Sequence, residues 1–111
     1  MLERILIHRA QQYMLEHCGE EIDFKTLAAS LGITYRSFRY LFTKATGTSP
    51  LQYQLKVKLS RAKSLLKSSD IPITEIAQTL GFATSWYFAH FFTKATGTSP
   101  RDYRRAQSTD N

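Results

Sequence analysis

The chain has one cysteine, Cys18. No intramolecular disulfide can form, and that usage fits a reducing compartment. No apolar run approaches the roughly 20 residues that a membrane span needs. The opening MLERILIHRAQQY carries charges where a signal peptide has its apolar stretch. These absences point to a cytoplasmic protein with no membrane partner. Strand patterning is missing too. His8, His17 and His90 lack metal-ligand spacing with one another or with Cys18, which argues against a metal site. No Ser/His/Asp set or carboxylate pair is placed for catalysis, so neither an enzyme nor a cofactor is expected. Acidic residues become scarce after the first quarter. Residues 1–23 carry a net −3, whereas residues 24–111 hold 13 basic and 4 acidic side chains, a net +9. A balance of that kind points to a polyanion partner, of which nucleic acid is the commonest.

What the chain does have is a duplication. TKATGTSP occurs at Thr43–Pro50 and again, unchanged, at Thr93–Pro100. Phe38 and Phe42 answer to Phe88 and Phe92 at an offset of 50, and Tyr53 answers to Tyr103. Upstream the offset is 49, with Leu27-Ala28 and Leu31-Gly32 answering to Ile76-Ala77 and Leu80-Gly81. The repeated block is not a phosphate loop, because it lacks GxxxxGK[ST]; its glycine stops one helix and its Ser-Pro starts the next.

Taken in order, residues 2–17 read as a helix with Leu2, Leu6, Ala10, Tyr13, Met14 and His17 on one stripe. Asp23 caps a short helix, Phe24–Leu31, that buries Leu27, Ala28 and Leu31 and stops at Gly32. A third helix spans about Tyr35–Thr46, completing a helix-turn-helix pattern. The fourth runs from about Pro50 to Lys67, roughly 27 Å at about 1.5 Å per residue. Leu51, Leu55, Leu59, Ala62 and Leu66 form one apolar stripe on it, with Tyr53 and Val57 opposite, as suits a strut between subdomains. The pattern then repeats: a fifth helix Ile73–Leu80, a sixth Ser85–Thr96 and a last one from Pro100 to about Arg105. The tail Gln107–Asn111 is polar and reads as frayed. The expected fold is all-α, about seven helices, with two helix-turn-helix subdomains joined by a long linker helix. Its expected divisions are residues 1–50, 51–68 and 69–111.

A wheel of about 100° per residue fixes the faces of the third and sixth helices. Phe38, Leu41, Phe42 and Ala45 define an inward face; Arg36, Arg39, Tyr40 and Thr43 look away from it. On the sixth helix Phe88, Phe91, Phe92 and Ala95 point inward, and Trp86, Ala89, His90 and Thr93 point outward. Arginine reads guanine bidentately, while aromatic and methyl groups pack on sugars and thymine methyls. Lys44 and Lys94 lie in the last turns, within reach of phosphate. For Trp86 the alternative is packing under the extra residue of its turn.

These residues resemble the DNA-binding domain of AraC/XylS-type bacterial transcription regulators over roughly residues 5–105. The motifs that carry the resemblance are Leu27-Ala28…Leu31-Gly32 and the longer Ile73-x-x-Ile76-Ala77-x-x-Leu80-Gly81-Phe82, continued by Tyr87-Phe88-x-x-Phe92-x-Lys94-x-x-Gly97-x-Ser99-Pro100-x-x-Tyr103-Arg104. The resemblance implies transcription regulation through two recognition helices in successive major grooves. It implies base-reading positions at Arg36, Arg39 and Tyr40, and at Ser85, Trp86 and His90. The second set departs from the Gln- and Arg-type residues often found there. The full candidate set for DNA contact is Tyr35, Arg36, Ser37, Arg39, Tyr40 and Thr43 on the first recognition helix. On the second it is Ser85, Trp86, Tyr87, Ala89, His90 and Thr93. Lys44, Arg61 and Lys94 are the candidate phosphate contacts. Expected partners are double-stranded DNA, bound by this region as a monomer at an asymmetric site, and RNA polymerase. With no ligand-binding domain ahead of it, the chain reads as a stand-alone regulator or an excised DNA-binding domain. Two rivals are a helical protein-interaction module using the Tyr40 and Trp86 faces, and an RNA-binding domain.

Overall fold

The computed structural model describes residues 2–108, and every regular element among them is an α-helix. In chain order these are α1 Leu2–Glu16, α2 Phe24–Ser30, α3 Tyr35–Thr46, α4 Pro50–Ser68, α5 Ile73–Thr79, α6 Ser85–Thr96 and α7 Pro100–Ser108. The all-α architecture with two helix-turn-helix units is the expected one. The chain divides into two compact units, Met1–Val57 and Lys58–Asn111, and α4 runs through the boundary. Its N-terminal half is thus the last helix of one unit and its C-terminal half the first helix of the other.

In the first unit α1 supplies Ile7, Ala10 and Met14, α2 supplies Leu27 and Ala28, and α3 supplies Phe38 and Phe42 to one buried cluster. Phe38 and Phe42 have no exposed surface, and their ring centroids lie 5.6 Å apart. Tyr53 of α4 meets Phe42 edge-on at 5.2 Å. The second unit repeats the plan with Ala62 and Leu66 from α4, Ile76 and Ala77 from α5, and Phe88 and Phe92 from α6. Tyr103 of α7 meets Phe92 edge-on at 5.3 Å. Phe82, in the turn between α5 and α6, gathers Phe88 and Phe91 around it at 5.3 and 5.1 Å.

The repeated TKATGTSP block is a helix stop followed by a helix start. Gly47 and Gly97 both adopt φ 80, a left-handed conformation that costs a side chain bearing a Cβ but not glycine. The Thr46 hydroxyl donates to the Phe42 carbonyl at 2.8 Å and accepts from the Thr48 N–H at 3.3 Å. Thr96 repeats this with Phe92 and Thr98 at 2.9 and 3.2 Å. Ser49 and Ser99 then cap α4 and α7 by accepting from the N–H groups of Gln52 and Asp102. Pro50 and Pro100 follow at the first helical position, where a missing N–H costs nothing.

Four expectations need correction. On α1 the inward stripe is Ile7, Ala10 and Met14, whereas Leu2 and Tyr13 are exposed. The inward direction is set by what α3 offers, and Tyr13 instead stacks on the His17 ring at 4.2 Å. On α4, Leu51 and Leu55 are exposed rather than buried. Two polar anchors turn that half of the helix: the Gln54 side chain, buried, donates to the Glu20 carbonyl at 3.4 Å, and the Tyr53 hydroxyl accepts from Gln11 at 3.2 Å. Ala45 and Ala95 are exposed, because each lies a turn beyond the last inward phenylalanine. Finally, α7 continues to Ser108, past Arg105, through residues of good helix propensity such as Ala106 and Gln107. The rest of the tail, Thr109–Asn111, lies outside the described residues.

Gln54 has a counterpart in Arg104. The Arg104 guanidinium donates to the carbonyls of Leu66 and Ser69, each at 3.1 Å, and of Leu65 at 3.4 Å. It thereby supplies donors to carbonyls at and just past the C-terminus of α4, where the Leu65 carbonyl also accepts from the Ser69 hydroxyl at 2.6 Å, and its charge opposes the negative end of the helix dipole. In both units a polar side chain one residue after the edge-on tyrosine ties the last helix to carbonyls at the end of the first helix or in the turn that follows it.

Two tests follow. Phe92→Ala opens a cavity at a fully buried site and should cost about 3–5 kcal/mol, which a thermal or urea melt would register as loss of the second unit. The second concerns the Asp23 cap of α2, which accepts from the N–H of Lys25 at 3.0 Å and of Thr26 at 3.3 Å. The Thr26 N–H, then the Thr26 hydroxyl and the Lys25 N–H, hold the Asp23 carboxyl below its ordinary range. A lowered folded-state value means that its contribution is full above the unfolded value of about 3.9 and is lost as pH falls through the folded value. Asp23→Asn keeps a capping oxygen without the charge. Its melting midpoint should fall less than the parent's between about pH 7 and about pH 3. Equal falls would remove the charge from the account of the cap.

Candidate nucleic-acid interface

Each unit places its third helix by the same local chemistry. Thr34, in extended backbone, caps α3 by accepting from the Ser37 N–H at 3.1 Å. Thr84 caps α6 by accepting from the Tyr87 N–H at 3.0 Å. Neither threonine is assigned as a cap from the sequence alone. The usable signal was a threonine directly ahead of an apolar-periodic run.

With Phe38 and Phe42 locked inward, α3 turns Arg36, Arg39, Tyr40 and Thr43 to solvent, as the wheel required. Tyr40 is 65% exposed. Neither Arg36 nor Arg39 makes a hydrogen bond or ion pair within the described residues, so both guanidinium groups keep all their donors available. Lys44 lies over the Tyr40 ring at 5.8 Å, which holds its ammonium beside this face. Tyr35, half-buried, joins these residues in lining a shallow, open concavity. Ser37 is exposed but turned back to the cap, accepting from the Thr34 hydroxyl at 3.1 Å.

The α6 face has the same frame and different chemistry. Trp86 is 67% exposed, so it does not pack under its turn. It lies against His90 instead, with ring centroids 4.0 Å apart. Thr93 and Lys94 are exposed, and Ser85 and Ala89 are half-buried. Tyr87 leans back on Phe82 at 5.9 Å and leaves its outer side to solvent. Lys58 of α4 places its ammonium over the Phe82 ring, 5.3 Å from the centroid. Arg61 is exposed on α4. By contrast Arg104, basic in the sequence, is occupied in the fold. Among the described residues no group of His, Cys, Asp or Glu could hold a metal ion, and no helix is long and apolar enough to cross a membrane.

A pair of capped helices, each presenting a polar or aromatic face outward from a helix-turn-helix unit, is the arrangement of helix-turn-helix DNA-binding domains. The family described as "Helix-turn-helix domain" matches residues 27–106. The chain belongs to that family and, within it, to the AraC-type DNA-binding domains of bacterial transcription regulators. A transcriptional regulator of Pseudomonas aeruginosa, GbdR, is 37% identical over 70 residues, 63% of this chain. The chain spans about a fifth of that protein's length, the match covering 19% of it. Among solved structures, the C-terminal domain of AraT, a response regulator from Geobacillus stearothermophilus, is 31% identical with a TM-score of 0.84. The alignment covers 91% of this chain and 84% of that one. The DNA-binding domain of the global transcriptional factor AdpA, solved in complex with a target DNA, is 32% identical with a TM-score of 0.85. There the alignment covers 93% of each chain.

Proposed function

We infer that this chain binds double-stranded DNA sequence-specifically and regulates transcription, with α3 and α6 entering successive major grooves. The observation that carries the reading is the pair of outward faces at matching positions of α3 and α6, one with two unpartnered arginines. The target DNA bound by the AdpA domain supports extending the same activity to this chain. Arg36, Arg39, Tyr40 and Thr43 would read base edges in one half-site, and Trp86, Ala89, His90 and Thr93 would face those of the other. Tyr35, Ser37, Ser85 and Tyr87 would approach the backbone at the edges of the two helices. Lys44, Lys94 and Arg61 would meet phosphates. A polyanion partner fits the +9 carried by residues 24–111. The protein would work in the cytoplasm, as one copy per site, acting on RNA polymerase at a promoter.

The direct test is binding of duplexes selected from a random pool. Contact with about 6–10 phosphates should cost roughly 10³–10⁵-fold in affinity between about 50 and 200 mM salt; a flat titration would overturn the reading. On the selected duplex, Arg39→Ala should cost about 1–3 kcal/mol and relax the preference at one or two base pairs. Arg61→Ala should weaken all sequences alike. Unchanged sequence preference in Arg39→Ala would remove Arg39 from the readers.

The same duplex tests the use of both helices. Recognition helices in successive major grooves contact segments about 10–10.5 base pairs apart. Inserting five base pairs between those segments should turn one to the opposite face of the duplex, with footprinting then showing protection of a single half. Unchanged affinity and footprint after insertion would mean that only one helix engages DNA.

A further inference from the structure

Superposing the two faces by their offset of 50 pairs Arg36 with Trp86, Arg39 with Ala89, Tyr40 with His90 and Thr43 with Thr93. Both faces are framed alike: a threonine cap before the helix and two fully buried phenylalanines behind it. The differences therefore lie in what reaches outward. On α3 the two positions hold guanidinium groups, whose paired donors match the O6 and N7 acceptors of guanine. On α6 the same two positions hold an indole and a methyl. Between Ser85 and Thr93 the outward face of α6 has no charged side chain and no amide, the groups that read purine edges bidentately.

What α6 offers is a largely apolar stripe, in which only the Trp86 indole N–H, the His90 ring nitrogens and the Thr93 hydroxyl can hydrogen-bond. Trp86, Ala89, His90 and Thr93 follow one another at i, i+3, i+4 and i+7, so they form one continuous strip along the helix. Two of its members are already in contact, since the Trp86 ring lies 4.0 Å from that of His90. A packed pair has lost part of its rotamer freedom before any ligand arrives, which lowers the entropy cost of binding. Among the major-groove edges of the four bases, only thymine presents an apolar group, its C5-methyl, and alanine, threonine methyl and aromatic side chains are its partners.

We propose that α6 is a thymine-methyl reader: Trp86, with Ala89, His90 and the Thr93 methyl, selects thymine by burying its C5-methyl group, while α3 reads guanine. The inference rests on the DNA-binding reading above and assigns the base chemistry of its second half-site. No guanidinium or amide is there to read a base edge bidentately, so removing the thymine methyl group should cost binding although it leaves every base donor and acceptor in place.

Deoxyuridine differs from thymidine only by that methyl and keeps every Watson–Crick and groove hydrogen-bonding atom. Duplexes selected from a random pool should carry at least one fixed thymine in the half-site protected by α6. Replacing thymines with deoxyuridine one at a time, and following binding by fluorescence anisotropy, should weaken the parent about fourfold at one or two of them. In Trp86→Ala the thymine and deoxyuridine duplexes should bind alike. Trp86 is exposed, so that variant should melt like the parent; Thr93→Ser, which removes only a methyl, provides a second variant expected to narrow the difference. The double substitution Trp86→Arg with Ala89→Arg should shift selection in that half from thymine towards guanine. If deoxyuridine is tolerated at every position in that half while the duplex still binds, the methyl reading fails and the DNA-binding reading stands. If no duplex is retained from the pool, both fall.

Discussion

Two phenylalanines four residues apart on α3, and two more on α6, determine what the rest of each unit can do. All four are fully buried, so each pins its helix about the helix axis. A helix free to roll by one residue would change its outward set completely, because adjacent positions differ by about 100°. Fixing Phe38 and Phe42 inward turns Arg36, Arg39, Tyr40 and Thr43 outward together, with Tyr35 and Lys44 beside them. A flat groove edge is read only if side chains approach in a fixed register, and rigid helices hold such registers better than loops do. The core of this domain thus acts on recognition directly, through rotation angle, as well as through stability.

The second constraint concerns helix ends. Units of about 55 residues bury modest cores, so unsatisfied carbonyls where a helix ends or in the turn after it are a large liability for them. Each unit answers at least one such carbonyl with a long side chain from its last helix. Gln54 reaches the Glu20 carbonyl after α1, and Arg104 reaches three carbonyls at the end of α4. Because α4 closes one unit and opens the next, its N-terminal half presents the anchor and its C-terminal half receives one. Arg104 shows why a count of basic residues is a poor guide to a DNA-contact surface: three hydrogen bonds already commit it to the fold.

The helices themselves were legible because their signals are local. Asp23, Ser49 and Ser99 are caps by residue type, Gly47 and Gly97 are stops, and the spacing of the phenylalanines gives the period. The faces of α3 and α6 could be read because four large rings outweigh everything else on those helices. The wheel failed on α1 and α4 for a shared reason. Ile7 and Leu6 are equally apolar, and which one turns inward depends on the helix that packs there. Leu51 and Leu55 form a respectable stripe that two hydrogen bonds, from Gln54 to the Glu20 carbonyl and from Gln11 to the Tyr53 hydroxyl, override. Neither bond leaves a trace in periodicity, since its partners lie 34 and 42 residues away. The Trp86–His90 ring contact was likewise invisible, although i, i+4 spacing allowed it.

The internal duplication separates two demands on sequence. The stretch the copies share without change, TKATGTSP, ends in hydroxyls, glycine and proline that are used up in ending one helix and beginning the next. Its backbone conformation admits few alternatives, since a residue at φ 80 favours glycine and a first-turn proline needs its own φ. The positions at which the copies differ most, Arg36 against Trp86 and Arg39 against Ala89, lie outside the fully buried core of either unit. Three of the four side chains are exposed and Ala89 is half-buried, so they can differ while the buried phenylalanines keep the roll angle of the helix and the threonines keep its caps. A repeated frame with unequal faces is able to read two unlike half-sites without a palindrome. A symmetric dimer cannot do so, because its two faces are copies by construction.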